Sequence, residues 1–279
     1  MVRKSWVHTM LKRWEGDMDF GIRGKVAMVA AGSKGLGRAA ALALAAEGCA
    51  VSICGRGQEA LSAAKAELEV CGGPALAVVA DVADSGDLLR WHRETEIALG
   101  PVDILITNTG GPKAAVFGDL SDDDWIAGVD STLLNVVRLT RLVLPGMRAR
   151  KWGRIVHITS LVAKQPAPIL TISSTLRAGL SGLTRTLATE SARDGVTVNA
   201  LLPGHVMTDR QVHLAEVKSK ADGITMEDYF KRTASAIPAG RIGNPEEIGA
   251  VIAFLCSAPA SYLTGQSLLV DGGLVQGTF

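Results

Sequence analysis

KVAMVAAGSKGLGRAAALALAAEG, residues 25 to 48, decides how the chain folds. Residues 25 to 31 read as a strand, and after Lys25 the run is unbroken and apolar, the mark of burial on both faces. Glycines follow at 32, 35 and 37, and an alanine-rich helical stretch then runs to Gly48. Glycines at a strand-to-helix turn let the backbone approach a pyrophosphate. The helix N-terminus adds free N–H groups and the positive end of a dipole. Gly32, Ser33, Lys34, Gly35, Leu36 and Gly37 are therefore candidate phosphate-binding residues. The spacing is not G-x-G-x-x-G, and a glycine cluster alone also fits an ordinary tight turn. Its place after the first strand favours the phosphate.

The same alternation continues outward. Apolar runs predict further strands over 49–54, 75–81, 102–108, 153–160, 195–204 and 266–273. Helical stretches lie between them, including a long one from Asp122 to Arg150 and one from Pro245 to Cys256. Such alternation predicts an α/β fold: a doubly wound, Rossmann-type parallel sheet in a single domain, with helices on both faces. Ligands of such sheets sit outside the carboxyl ends of the strands. Residues 205–240 break the pattern, read as two short helices around Gly223, and are expected to cover the substrate. Residues 1–21 mix basic residues with tryptophans and lack the apolar core of a signal peptide. They read as a disordered extension, with an amphipathic helix on a neighbouring subunit as the alternative.

Composition narrows the function classes. The chain has 279 residues, 47% hydrophobic, with a formal net charge of +1. Near-neutral charge argues against nucleic acid or an anionic membrane surface as partner. No apolar tract is long enough to predict a membrane span. Cys49, Cys54, Cys71 and Cys256 have no C-x-x-C spacing and read as buried thiols of a cytoplasmic protein. The five histidines are scattered, so no metal site is expected.

The end of the second strand bears on the choice of nucleotide. An acidic residue there binds a ribose 2′-hydroxyl, whereas an arginine accommodates a 2′-phosphate. The sequence reads CGRG over 54–57, with Arg56 after Gly55 and Lys34 in the glycine loop. Two cations without a carboxylate point to NADP; two solvated surface charges are the alternative.

The order of the motifs resembles the short-chain dehydrogenase/reductase family over about residues 22 to 273. That family's loop reads T-G-x-x-x-G-x-G. Here Gly35 and Gly37 match, while Ala30 and Ala31 occupy the first two positions. An alanine at 31 predicts an ordinary backbone angle there, with Gly32 taking up the turn. Asp81-Val82 resembles the adenine-contacting pair, and TNTGG (107–111) resembles N-N-A-G, with Asn108 and Gly110 retained. PGHVMT (203–208) resembles P-G-x-x-x-T, which implies cofactor contacts from Pro203, Gly204, Val206 and Thr208. RIGNPEEIGAVIAFLCS, followed by YLTGQSLLVDGG, resembles the C-terminal signature. The resemblance also implies a homotetramer or homodimer built on the helices near 122–150 and 170–194, and a small-molecule carbonyl substrate.

The family's catalytic group is Asn, Ser, Tyr and Lys. Ser160 holds the serine position, but Ser173 stands at the tyrosine position and Arg177 at the lysine position. Thr132 falls where the asparagine belongs, with Asn135 one turn further on. Arg177 retains a positive charge for the cofactor ribose and does not deprotonate near neutral pH. Ser173 is a poor stand-alone acid, and loss of a positioned general acid forfeits about 10²- to 10⁴-fold in rate. Three readings follow. The first is an NADP-dependent oxidoreductase, such as a 3-oxoacyl-thioester reductase, working through Ser160, Ser173 and Arg177. The second is a non-catalytic NADP-binding protein. The third, placed last, is lyase- or dehalogenase-type chemistry on the same scaffold.

Overall fold

The computed structural model describes residues 19–277; most of the expected N-terminal extension over 1–21 lies outside them. Seven parallel strands make one sheet in the order β3-β2-β1-β4-β5-β6-β7. They are β1 Val26–Val29, β2 Ala50–Gly55, β3 Ala75–Val79, β4 Ile104–Thr107, β5 Gly153–Ile158, β6 Val196–Pro203 and β7 Ser267–Val270. Each lies within a predicted run or, at Gly55, one residue beyond it. β1, β2, β4, β5 and β6 are buried throughout, and β1 (VAMV) is apolar without a break, while β5 and β6 also bury the polar side chains of Arg154, His157, Thr197 and Asn199.

One apolar core joins the sheet to α1 (Gly35–Ala46), α2 (Gln58–Val70) and α9 (Pro245–Cys256). The other joins it to α3 (Ser85–Leu99), α5 (Asn135–Ala149) and α6 (Thr171–Ser191). Alanines and glycines bring helices close. A side chain on Gly249 of α9 would meet the Ala39 carbonyl oxygen of α1 at 2.6 Å.

Four expectations need adjustment. The predicted helix over 122–150 is broken into α4 (Asp122–Gly128), a π-helical turn (Val129–Leu134) and α5. Gly128 packs where a side chain would meet Ile172 Cγ2 at 2.5 Å, and Ser131 Oγ donates back to the Ala127 carbonyl at 2.8 Å. Close packing and back-bonding of this kind distort a helix. The 205–240 segment contains α7 (Asp209–Asp222) and α8 (Met226–Ala236), separated at Gly223 with φ +64 as expected, though neither helix is short. Cys71 is exposed, because it caps the solvent end of α2, while the other three cysteines are buried. Ala31, not Gly32, takes the left-handed backbone, at φ +47.

Candidate active site

A cleft of about 480 Å³ opens at the carboxyl ends of β1, β2 and β4, the size of a small-molecule site. Ser33, Lys34, Gly35, Leu36, Arg56, Asp81, Val82, Asn108, Gly110 and Thr208 all line it. They follow five different strands, β1, β2, β3, β4 and β6, and the parallel topology brings those strand ends together. Sequence reasoning missed Ser131 and Arg210, which also line it. Arg210 stands two residues after Thr208, and that spacing was its only signal.

The other predicted cofactor residues shape the wall. Gly32 is buried beneath the loop, where its N–H donates to the Cys54 carbonyl at 2.9 Å. A side chain on Gly32 would meet Ile53 at 2.6 Å, so this glycine is there for space rather than for its backbone angle. A side chain on Gly37 would collide with the Ala31 carbonyl and lie 2.9 Å from Asn108 Nδ2. Asn108 thus braces the loop against the first turn of α1. Pro203 ends β6, Gly204 packs against the Asp271 backbone, and Val206 is buried in the core beside a second, smaller crevice.

The loop suits an anionic ligand. Lys34, the N-cap of α1, makes no side-chain cap bond, and the first turn carries no acidic residue, so the helix's own side chains leave its positive end open to the cleft. At Gly55 a side chain would meet Ser33 Oγ at 2.9 Å. An aspartate there would have to displace Ser33, whereas Arg56 at the next position has room in the cleft.

Ser160, Ser173 and Arg177 lie beyond the cleft lining. Ser160 is half-buried after β5, and its Oγ accepts from the Val162 N–H at 3.3 Å. Its own proton is therefore free to donate. Ser173 and Arg177 are buried on one face of α6, and Arg177 Nε donates to Ser173 Oγ at 3.1 Å. Arg177 Nη1 donates to the carbonyls of Ile158 at 3.3 Å and Thr159 at 2.6 Å. The guanidinium is thus tied to the chain immediately before Ser160. Burial, and then the charge of Arg210, pull Arg177 down to about 10, which leaves it charged at neutral pH. Because Ser173 Oγ accepts from a cation, its hydroxyl hydrogen is polarised and free to donate elsewhere.

Behind these residues lies a polar layer. Thr107 Oγ1 and His157 Nδ1 are 2.9 Å apart, and burial pushes His157 down to about 4. Thr132 and Asn135 are fully buried, with side-chain polar atoms that find no partner among the described residues. No group of three or more His, Cys, Asp or Glu side chains suited to a metal occurs among the described residues. None of the described helices is long and apolar enough to cross a membrane.

Comparison with known proteins agrees with this geometry. Residues 30–275 match the family described as enoyl-(acyl carrier protein) reductase. A 3-oxoacyl-[acyl-carrier-protein] reductase of Synechocystis sp. is 36% identical over 253 residues, covering 90% of this chain and 97% of that protein. A putative ketoacyl reductase of Streptomyces coelicolor is 34% identical over 252 residues, again covering 90% and 97%. Among solved structures, L-sorbose reductase of Gluconobacter frateurii, complexed with NADPH and L-sorbose, superimposes with a TM-score of 0.89 at 33% identity, covering 93% of this chain and all of that one. A variant of actinorhodin polyketide ketoreductase with NADPH gives 0.87 at 34% identity, covering 91% and 98%. The chain belongs to the short-chain dehydrogenase/reductase family.

Proposed function

We propose that this member of the short-chain dehydrogenase/reductase family is an NADP-dependent oxidoreductase that interconverts a carbonyl and an alcohol through Ser160, Ser173 and Arg177. One observation carries the reading: Arg177, buried and charged, donates to Ser173 Oγ at 3.1 Å and is tied to the backbone that leads into Ser160. The NADPH named with the L-sorbose and actinorhodin reductases supports the nucleotide.

The cleft fits that group. The open N-terminus of α1 and its glycines would hold the pyrophosphate, and Arg56 with Lys34 the 2′-phosphate. Asp81 and Val82 would flank the adenine. Asn108, Gly110 and the 203–208 segment would frame the nicotinamide half. Once bound, NADPH supplies the hydride.

The chain's own residues then do three things. Ser160 donates to the carbonyl oxygen and fixes its orientation. Arg177 stabilises the negative charge that grows there; a fixed charge in a site away from bulk water needs no reorganisation to do so. Ser173, polarised by Arg177, passes a proton on directly or through water, in place of the absent tyrosine. The printed names of the Synechocystis and Streptomyces relatives make 3-oxoacyl thioesters the first substrates to test. The assembly is a homotetramer or homodimer through the helices of 122–150 and 170–194, in the cytoplasm; light scattering tests the first point.

The burial of Ser173 and Arg177, at 6% and 7% exposure, favours a second reading in which the protein binds NADP without turnover. Kinetics decide between the two. With a panel of activated ketones, diketones and acyl thioesters, Ser160→Ala and Arg177→Met should each lower kcat/KM more than Ser173→Ala. NADPH binding without turnover of any panel member would replace the oxidoreductase reading with the second one.

A further inference from the structure

The cleft carries a charge that the reductase reading leaves unused. Arg210, the second residue of α7, lies over the bare backbone of Gly111: a side chain there would come within 3.0 Å of Nη1 and 3.1 Å of Nη2. Among the described residues Arg210 makes no hydrogen bond, and no carboxylate lies within 4.0 Å of it. Arg38, Arg138, Arg148 and Arg241 are matched with Glu67, Asp130, Asp194 and Glu247, whereas Arg210 shares the lack of an acidic partner with several surface arginines and differs from most of them in lining the cleft. Asp209 does not serve Arg210, because its carboxylate turns to Lys34 at 4.0 Å and is largely exposed. Among the described residues Arg177 has no acidic partner either; its bonds go to Ser173 and two carbonyls. A side chain on Gly128 would meet Pro112, next to Gly111, at 3.4 Å and Leu176, next to Arg177, at 3.6 Å, so the corner that seats Arg210 packs against the helix that carries Arg177, and among the described residues neither guanidinium has an acidic partner.

Arg210 is exposed at the cleft, so an anion that enters can reach it, and a second positive charge nearby strengthens that attraction. The planar fork of an arginine matches a carboxylate bidentately. We propose that Arg210 binds the carboxylate of a small oxo-acid substrate, whose carbonyl faces Ser160 and the Ser173–Arg177 pair. The inference rests on the reductase reading and narrows its substrate class from thioesters to free acids. The reaction balances simply. Hydride passes from NADPH to the carbonyl carbon and a proton to its oxygen, giving a hydroxy acid and NADP⁺, while the carboxylate is unchanged.

The test uses the full chain with saturating NADPH. The substrates are 2-oxobutanoate, 3-oxobutanoate and 4-oxopentanoate, each paired with its methyl ester. The unmodified protein should prefer one acid to its ester by about tenfold or more in kcat/KM. Arg210→Met should lower that acid-to-ester ratio by about 10- to 100-fold, and Arg210→Lys should restore part of it. The NADPH dissociation constant is measured for each variant by fluorescence. A weakened NADPH affinity with an unchanged ratio would make the cofactor phosphates the partner of Arg210 and overturn the proposal. An acid-to-ester ratio near one in the unmodified protein overturns it equally. A second arm needs no turnover: calorimetry of the corresponding hydroxy acids on NADP⁺-loaded protein. Binding that Arg210→Met abolishes supports the anion site even where nothing is reduced, and in that case only the reductase reading fails. The absence of both turnover and hydroxy-acid binding overturns the anion site itself.

Discussion

Replacing Ser173 with alanine isolates the pair on which the proposed chemistry rests. Both partners are buried, and the serine hydroxyl is the side-chain acceptor of Arg177 Nε at 3.1 Å. Nη1 keeps its bonds to Ile158 and Thr159, so the head group stays where it is. What is lost is one partner of a buried, charged donor, a cost of about 1–3 kcal/mol. Taking about 2 kcal/mol, a chain of this size should melt about 4–8 °C lower. The assay is a double-mutant cycle of Ser173→Ala, Arg177→Met and the two combined, followed by urea unfolding and by thermal melting. A coupling energy of about 1–2 kcal/mol is expected, because the two residues are in direct contact. Additivity to within about 0.3 kcal/mol would refute the claim that the hydroxyl and the guanidinium act as a unit.

Three further outcomes are expected. NADPH should bind more tightly than NADH, and Arg56→Ala should weaken NADPH by about 10- to 100-fold while sparing NADH; fluorescence titration checks this, and equal affinities in the unmodified protein would contradict it. His157, held neutral by burial with its protonation pulled from 6.5 to about 4, contributes stability that is fully present above pH 6.5 and is lost as pH falls through about 4. The loss, 2.5 pH units at 1.36 kcal/mol each, is about 3 kcal/mol, and urea unfolding of His157→Asn between pH 7 and pH 4 should show a shallower acid decline than the unmodified protein. Ala31→Gly should stabilise the loop by about 0.5–1 kcal/mol, since an alanine at φ +47 costs about 1–2 kcal/mol and glycine returns part of that as unfolded-state entropy; a lower melting temperature would show that the methyl group is needed.

Much of this architecture was legible because burial on both faces writes itself into a strand as a continuous apolar run. The apolar run over 26–31 led directly to β1, and the apolar residues of ILIT within 102–108 to β4. The cleft residues were legible for a related reason: a parallel sheet brings the loop after every strand to one edge, so motifs at strand ends must meet. What escaped depended on contacts distant in sequence. The π-turn in the 122–150 helix follows from Gly128 pressing on Ile172, which no local pattern records. The left-handed backbone at Ala31 follows from the fit of its carbonyl against Gly37, so propensity misplaced the turn at Gly32. Ser173 and Arg177 could be placed four apart on one helix face, but their mutual bond and the tether of Arg177 to β5 needed coordinates. Arg210 was passed over because a lone arginine in a charged segment looks solvated; only its seat on Gly111 sets it apart.

The central claim is that this site reduces a carbonyl without the usual tyrosine and lysine. NADPH carrying deuterium at C4, on the face that transfers, tests it directly. The full chain is incubated with the labelled cofactor and the carbonyl panel, and the alcohols are read by mass spectrometry. The account predicts one deuterium in the product alcohol from the unmodified protein, and a sharp loss of product with Ser160→Ala and Arg177→Met. Bound NADPH with no deuterium in any alcohol, together with transfer gained by the Ser173→Tyr, Arg177→Lys double replacement, would contradict it.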